Sequence, residues 1–155
     1  MYSPLAFFAF NRPYHTYRSL DSLCKNKISI DTEIFAFIDG PRNSNEIHLI
    51  DNVEKIINSF SKNFKKITII RSDQNLSSGS NKRIGINNIL SKYDSIIVLE
   101  DDICVSTYFL DYMNSAIRKY KNHKEVWHIN GFNFPNNSIL NHDAFFTRSM
   151  QFWGW

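Results

Sequence analysis

Five short apolar runs, Leu5–Phe10, Ile34–Ile38, Ile67–Ile70, Ile96–Leu99 and Val126–Ile129, recur along the chain roughly every 30 residues, the length of a βαβ unit. Each is mostly β-branched or aromatic, as a buried strand requires. Between them the period changes to that of a helix. The clearest case places Phe109, Tyr112, Met113, Ala116, Ile117 and Tyr120 on one face at spacings of three and four, opposite a polar face. Ser106 or Thr107 can cap that helix, and Arg118, Lys119 and Lys121 suit the dipole at its end. A second helix is predicted from Ile47, Ile50, Val53, Ile57 and Phe60, a third from Ile86, Ile89, Leu90 and Tyr93, and another around Tyr17, Leu20 and Leu23. Strands alternating with helices predict an α/β fold with a mainly parallel sheet, helices on both faces, and ligands at the carboxyl ends of the strands.

The chain of 155 residues is the size of one domain, and 43% hydrophobic content with 13 Phe, 7 Tyr and 3 Trp can fill its core. Its net charge of +3 is too small and dispersed for a nucleic-acid surface. Cys24 and Cys104 lack C-x-x-C spacing and read as reduced core residues. The longest apolar stretch, Leu5–Phe10, is too short to span a bilayer, which predicts a cytoplasmic protein able to associate peripherally with the inner membrane face. Past Ile129 the pattern gives way to Asn, Pro and Gly and then to an aromatic segment, Phe145-Phe146 through Trp153-Gly154-Trp155. That ending, without cap or turn signal, predicts an interrupted domain. Its aromatic rings are either core or a platform for stacking sugars.

Chemistry-bearing residues follow the strands. Glu100-Asp101-Asp102 closes the fourth run, and three successive carboxylates repel one another unless a cation or donors compensate. In an extended segment Glu100 and Asp102 share one side, so a hard cation, Mg²⁺ or Mn²⁺, can bind there and keep positions open for a diphosphate. The alternative is a solvated acidic turn before a helix. Asn11-Arg12-Pro13 follows the first run, where a guanidinium can meet a base or phosphate. Asp39-Gly40-Pro41 follows the second, where a carboxylate can accept from a base N–H. Either is equally an ordinary turn. The stretch from Asn75 to Arg83 offers backbone amides, hydroxyls, Lys82 and Arg83 to an anion, or is a solvated helix start. Neither a P-loop nor Gly-x-Gly-x-x-Gly occurs. The five histidines show no metal-ligand spacing, and no nucleophile elbow or Cys-His signature is present.

Together, Phe8-Ala9-Phe10-Asn11-Arg12-Pro13, Phe37-Ile38-Asp39-Gly40, Val98-Leu99-Glu100-Asp101-Asp102 and the closing Gly-Trp segment resemble the N-acetylglucosaminyltransferase I family. The Asn75-to-Asn88 stretch is similar to the family-2 glycosyltransferases, which share the fold. The resemblance implies a GT-A (Rossmann-like) domain spanning residues 1–155 that binds a nucleotide-sugar donor, UDP-linked, with part of the acceptor side beyond it. It implies Asp102 as the manganese ligand, Glu100 and Asp101 contacting nucleotide or sugar, and Arg12 and Asp39 holding the uridine. Transfer to a hydroxyl of a glycan or lipid-linked acceptor would invert the anomeric centre, with the catalytic base beyond Trp155. Asp143 is the one late carboxylate, and nothing around it singles it out as a replacement. Two alternatives stay open: a sugar-nucleotide nucleotidyltransferase, which needs a Gly-rich loop where this chain has Asn-Arg-Pro, and an inactive nucleotide-sugar-binding module.

Overall fold

The computed structural model describes residues 2–132, 146–148 and 150–155. Four strands form one parallel sheet in the order β3-β2-β1-β4: β1 (Leu5–Ala9), β2 (Glu33–Ile38), β3 (Lys66–Arg71) and β4 (Ile97–Glu100). Leu5 lies opposite both Ile34 and Ile97, so β1 is an interior strand, paired on both sides. Four helices alternate with the strands: α1 (Pro13–Cys24), α2 (Ile47–Ser59), α3 (Ser78–Leu90) and α4 (Phe109–Tyr120). This is the α/β, Rossmann-like architecture expected from the periodicity.

Alternate residues of the strands feed two unequal layers. Leu5, Phe7, Ile34, Ile38, Ile97 and Leu99 pack with Leu20 and Leu23 of α1, Ile50, Val53 and Ile57 of α2, and Leu110 and Met113 of α4. Ala6, Phe8, Phe37 and Val98 face the other way, onto Ile89 of α3. That second layer is thin, and Gly85 makes it possible. A methyl group there would stand 2.7 Å from the Phe8 ring, so only glycine lets α3 lie so close to the sheet.

Three expectations need correction. Val126–Ile129 is not a strand. On the free edge of β4, the Val98 amide and carbonyl are instead taken by Trp155, through hydrogen bonds of 2.5 and 3.1 Å, which leaves that edge no matching ladder to offer the run. Gly154, at φ +76°, makes the turn that delivers Trp155. Ser106 meets the entry to α4 only through its Oγ, which accepts from the Tyr108 amide at 3.4 Å, and Thr107 makes no cap. The N-cap position is Tyr108, which makes no side-chain cap, and the Leu110 amide donates to Asn26 Oδ1 at the end of α1, 2.9 Å away. Cys24 is half-buried, and Cys104 is exposed rather than core. Asp143, His142 and Phe145 lie outside the described residues.

Candidate nucleotide and metal site

The chain runs outward from β1 through β2 to β3, then returns to place β4 on the other side of β1. The reversal opens a crevice beyond the carboxyl ends of β1 and β4, where α/β sheets bind ligands. Strand β1 delivers Asn11 and Arg12 to that crevice, and β4 delivers Glu100, Asp101 and Asp102. Pro13 occupies the first turn of α1, where its missing N–H costs nothing.

Arg12 forks across the crevice. Its Nη2 donates to Asp101 Oδ1 at 2.5 Å and its Nη1 to Asp102 Oδ2 at 3.0 Å. The two carboxylates live in different surroundings: the Asp101 side chain is 2% exposed, that of Asp102 45%. Asp101 Oδ2 also accepts from the Phe10 amide at 3.2 Å, tying the triplet to the end of β1. Burial is the largest influence on Asp101 and raises its pKa, and the opposing pull of Arg12 and the Phe10 amide does not offset it. For Arg12 burial acts downward, but the neighbouring carboxylates outweigh it and the guanidinium is held charged above its ordinary range. Glu100 meets a different cation, Lys82 Nζ on α3, at 3.0 Å.

The end of β2 is a closed clasp. Asp39, buried, accepts at Oδ1 from the Gly40 amide (2.9 Å) and the Leu76 amide (2.8 Å), and at Oδ2 from Asn75 Nδ2 (3.2 Å). It thereby fixes the loop that opens α3. Beside it Glu46 accepts from Asn11 Nδ2 at 3.0 Å and from the Arg42 amide and guanidinium, and that guanidinium lies 5.1 Å from the Phe10 ring. The Glu46 carboxyl is held below its ordinary pKa, chiefly by Arg42. Arg42 and Glu46 were not singled out from sequence, and Asn75 and Asn81 entered only as members of the Asn75-to-Arg83 stretch, without a role of their own. The Arg42–Glu46 pair had a signal in its four-residue spacing, but Asn75 and Asn81 are informative only through where the fold puts them.

These groups enclose a cavity of about 350 Å³, lined by Phe8, Phe10, Arg12, Asp39, Arg42, Asn75, Asn81, Lys82, Glu100 and Asp101 among others. Of the residues expected at the site, Arg12, Asp39, Lys82, Glu100 and Asp101 converge here, while Asn11 supports it through Glu46. Arg83 is exposed and does not line the cavity. Asp102 opens instead onto a wider groove of about 1510 Å³, shared with Arg12, Tyr108, Tyr112 and Trp127 and with Phe146 and Trp153 from the aromatic end of the chain. The Arg12 fork therefore forms the wall between the two spaces. Among the described residues no three His, Cys, Asp or Glu side chains form a ready-made metal cage. Asp102 Oδ1 has no protein partner there, however. One half-exposed carboxylate with open positions fits an ion such as Mg²⁺ or Mn²⁺ that keeps waters and is bound with a phosphate.

The loop carrying Asp102 is held by two serines of α1 and by Asn26 just past its end. Ser19 Oγ donates to the Ile103 carbonyl (2.6 Å), Ser22 Oγ accepts from the Val105 amide (3.0 Å), and Asn26 Nδ2 donates to the Ser106 carbonyl (3.1 Å).

No protein-family model matches the sequence, and no curated protein sequence matches it significantly. The fold is nonetheless that of a known class, the Rossmann-like α/β domains of the GT-A kind. Its solved neighbours include S. aureus TarS. A structure of TarS residues 1–349 in complex with UDP superposes with a TM-score of 0.57 at 15% identity, over 78% of this chain and 33% of that one. A second structure of residues 1–349 gives 0.55 at 11% identity over 76% and 33%. A third TarS structure gives 0.56 at 15% identity over 78% of this chain and 20% of the other. The chain thus spans about a third or less of the proteins it resembles, and at these identities the likeness is one of fold.

Proposed function

We propose that this chain is the donor-binding part of a metal-assisted glycosyltransferase that takes a UDP-linked sugar and passes it, with inversion, to a hydroxyl of a glycan or lipid-linked acceptor. The observation that carries the proposal is the Arg12 fork onto Asp101 and Asp102 at the switch point between β1 and β4. The UDP complex of the TarS neighbour, which shares the fold, supports the choice of nucleotide.

In this reading the nucleoside enters the smaller cavity beside Phe10 and the Asp39 clasp, and the diphosphate extends toward Arg12 and Lys82. Both cations are already matched to carboxylates, so an arriving diphosphate exchanges one set of charged partners for another rather than meeting bare charge. Asp102 would hold Mn²⁺ or Mg²⁺, whose contribution when bound is to neutralise charge on the departing diphosphate. The acceptor approaches along the wider groove, where Tyr108 and Trp127 are exposed and can stack on sugar rings. Among the described residues no helix is long and apolar enough to cross a membrane. No residue of this chain is assigned as the base.

Calorimetric titration with UDP, GDP and CMP, each with Mn²⁺ and with chelator, tests the proposal. The expected result is a metal-dependent preference for UDP. A folded sample that binds none of them removes the donor-binding role.

A further inference from the structure

The side chain of Asn81 stands apart from the other polar groups of the smaller cavity. The residue is only 5% exposed, and its backbone amide is spent inside α3 on the Ser77 carbonyl at 2.9 Å. Its carboxamide makes no hydrogen bond to any described residue, whereas the neighbouring Asp39, Asn75, Lys82 and Glu100 side chains are all partnered. No side-chain polar atom among the described residues is both sealed off and unpartnered, so the Asn81 amide reaches the cavity it lines. Buried amides are ordinarily hydrogen-bonded to protein or ordered water, and one kept open to a cavity is poised to exchange water for what enters it.

We propose that Asn81 recognises the nucleoside of the bound nucleotide, by pairing with a group that both donates and accepts hydrogen bonds: a ribose hydroxyl or the imide edge of the base. The inference rests on the reading that this cavity binds a nucleotide. A carboxamide presents one acceptor oxygen and two N–H donors. Phosphate oxygens, being acceptors only, would leave the Asn81 oxygen unmatched, while a hydroxyl or an imide satisfies both ends. The cavity walls agree, since Phe8 and Phe10 offer apolar surface to a ribose or a base. Lys82, the next residue, carries the charge that a phosphate needs.

The test compares wild type with Asn81→Ala and Asn81→Leu in titrations with UDP, 2′-deoxy-UDP, N3-methyl-UDP and pyrophosphate, each with Mn²⁺. UDP binding should weaken about tenfold in both variants, the effect of one neutral hydrogen bond, with pyrophosphate unchanged. The analogue that lacks the recognised group should bind wild type and Asn81→Ala alike, which identifies hydroxyl or imide as the partner. Thermal unfolding without ligand supplies a readout that a structural role would move the other way: Tm should stay close to wild type or rise, because no protein hydrogen bond is lost. Unchanged UDP affinity in the variants, or equal losses for UDP and pyrophosphate, overturns the assignment alone. A wild-type chain that binds no nucleotide overturns the nucleotide reading and this assignment together.

Discussion

The carboxyl ends of β2 and β4 flank that of β1, and both are built around carboxylates, yet the two ends are finished in opposite ways. At β2 the Asp39 side chain is buried and its oxygens accept from Gly40, Leu76 and Asn75, so the charge is absorbed by the chain's own donors. At β4 three carboxylates share two cations, and Asp102 is left half exposed with an oxygen to spare. A carboxylate that shapes a loop is closed by backbone amides. One that is to meet a ligand is held by long side chains that can be shared or exchanged. The same residue type thus serves as scaffold at one strand end and as candidate chemistry at the other.

The comparison breaks first at Asp39. Asp39→Ala strands the Gly40 and Leu76 amides and releases Asn75, and should cost about 3 kcal/mol in urea unfolding, since hydrogen bonds to a buried charge are among the stronger ones. Nucleotide binding should fall with it, with or without metal, because the loop into α3 loses its anchor. A loss below about 1 kcal/mol would contradict a structural role for the clasp.

Arg12→Ala should come next, at about 2 kcal/mol, because it leaves the Asp101 carboxylate buried with only the Phe10 amide. Here the sign of the pH dependence is informative. Burial already raises the Asp101 pKa, and loss of Arg12 raises it further. A carboxyl whose folded pKa lies above its unfolded value favours the fold when protonated, and that advantage is lost as pH rises through the folded pKa. The deficit of Arg12→Ala should therefore shrink as pH is lowered from neutral, and adding Asp101→Asn should remove most of it. Parallel Tm curves for wild type and Arg12→Ala across pH 5 to 8 would show that Asp101 is not the group left exposed to the loss.

The strands were legible because runs such as Leu5–Phe10 and Ile96–Leu99 are apolar at every step, which suits strands covered on both faces. Their order was not, because no residue states which edge of β1 receives β4. With the order went the meaning of Arg12, whose partners lie about 90 residues further on, at Asp101 and Asp102. The stripe on α4 misled in part: Met113 is buried, but Tyr112 faces the groove, and Leu110 and Asn114 take its place in the core. Val126–Ile129 failed as a strand for a related reason. Apolar character says that a segment wants cover, whereas a strand also needs an open ladder, and the Val98 groups at the edge of β4 were taken by Trp155. The polar row of Ser19 and Ser22 on α1 and Asn26 just after it could not be read as a clasp, since its partners are backbone atoms of a distant loop.

The sharpest test of the contrast is the substitution expected to do least to the fold. Asp102→Ala removes one exposed partner of Arg12, and an ion pair of that kind contributes about 0.5 kcal/mol or less, so Tm should hardly move. Arg12 keeps Asp101, and the loop keeps its bonds to Ser19, Ser22 and Asn26. UDP affinity measured with Mn²⁺ should nonetheless drop to the value wild type shows with chelator, because the side chain that would carry the ion is gone. A variant that is stable and still gains affinity from Mn²⁺ would move the metal away from Asp102 and leave Glu100, after release from Lys82, as the carboxylate to examine. A variant that unfolds would make Asp102 scaffold like Asp39, and the distinction between the two strand ends would disappear.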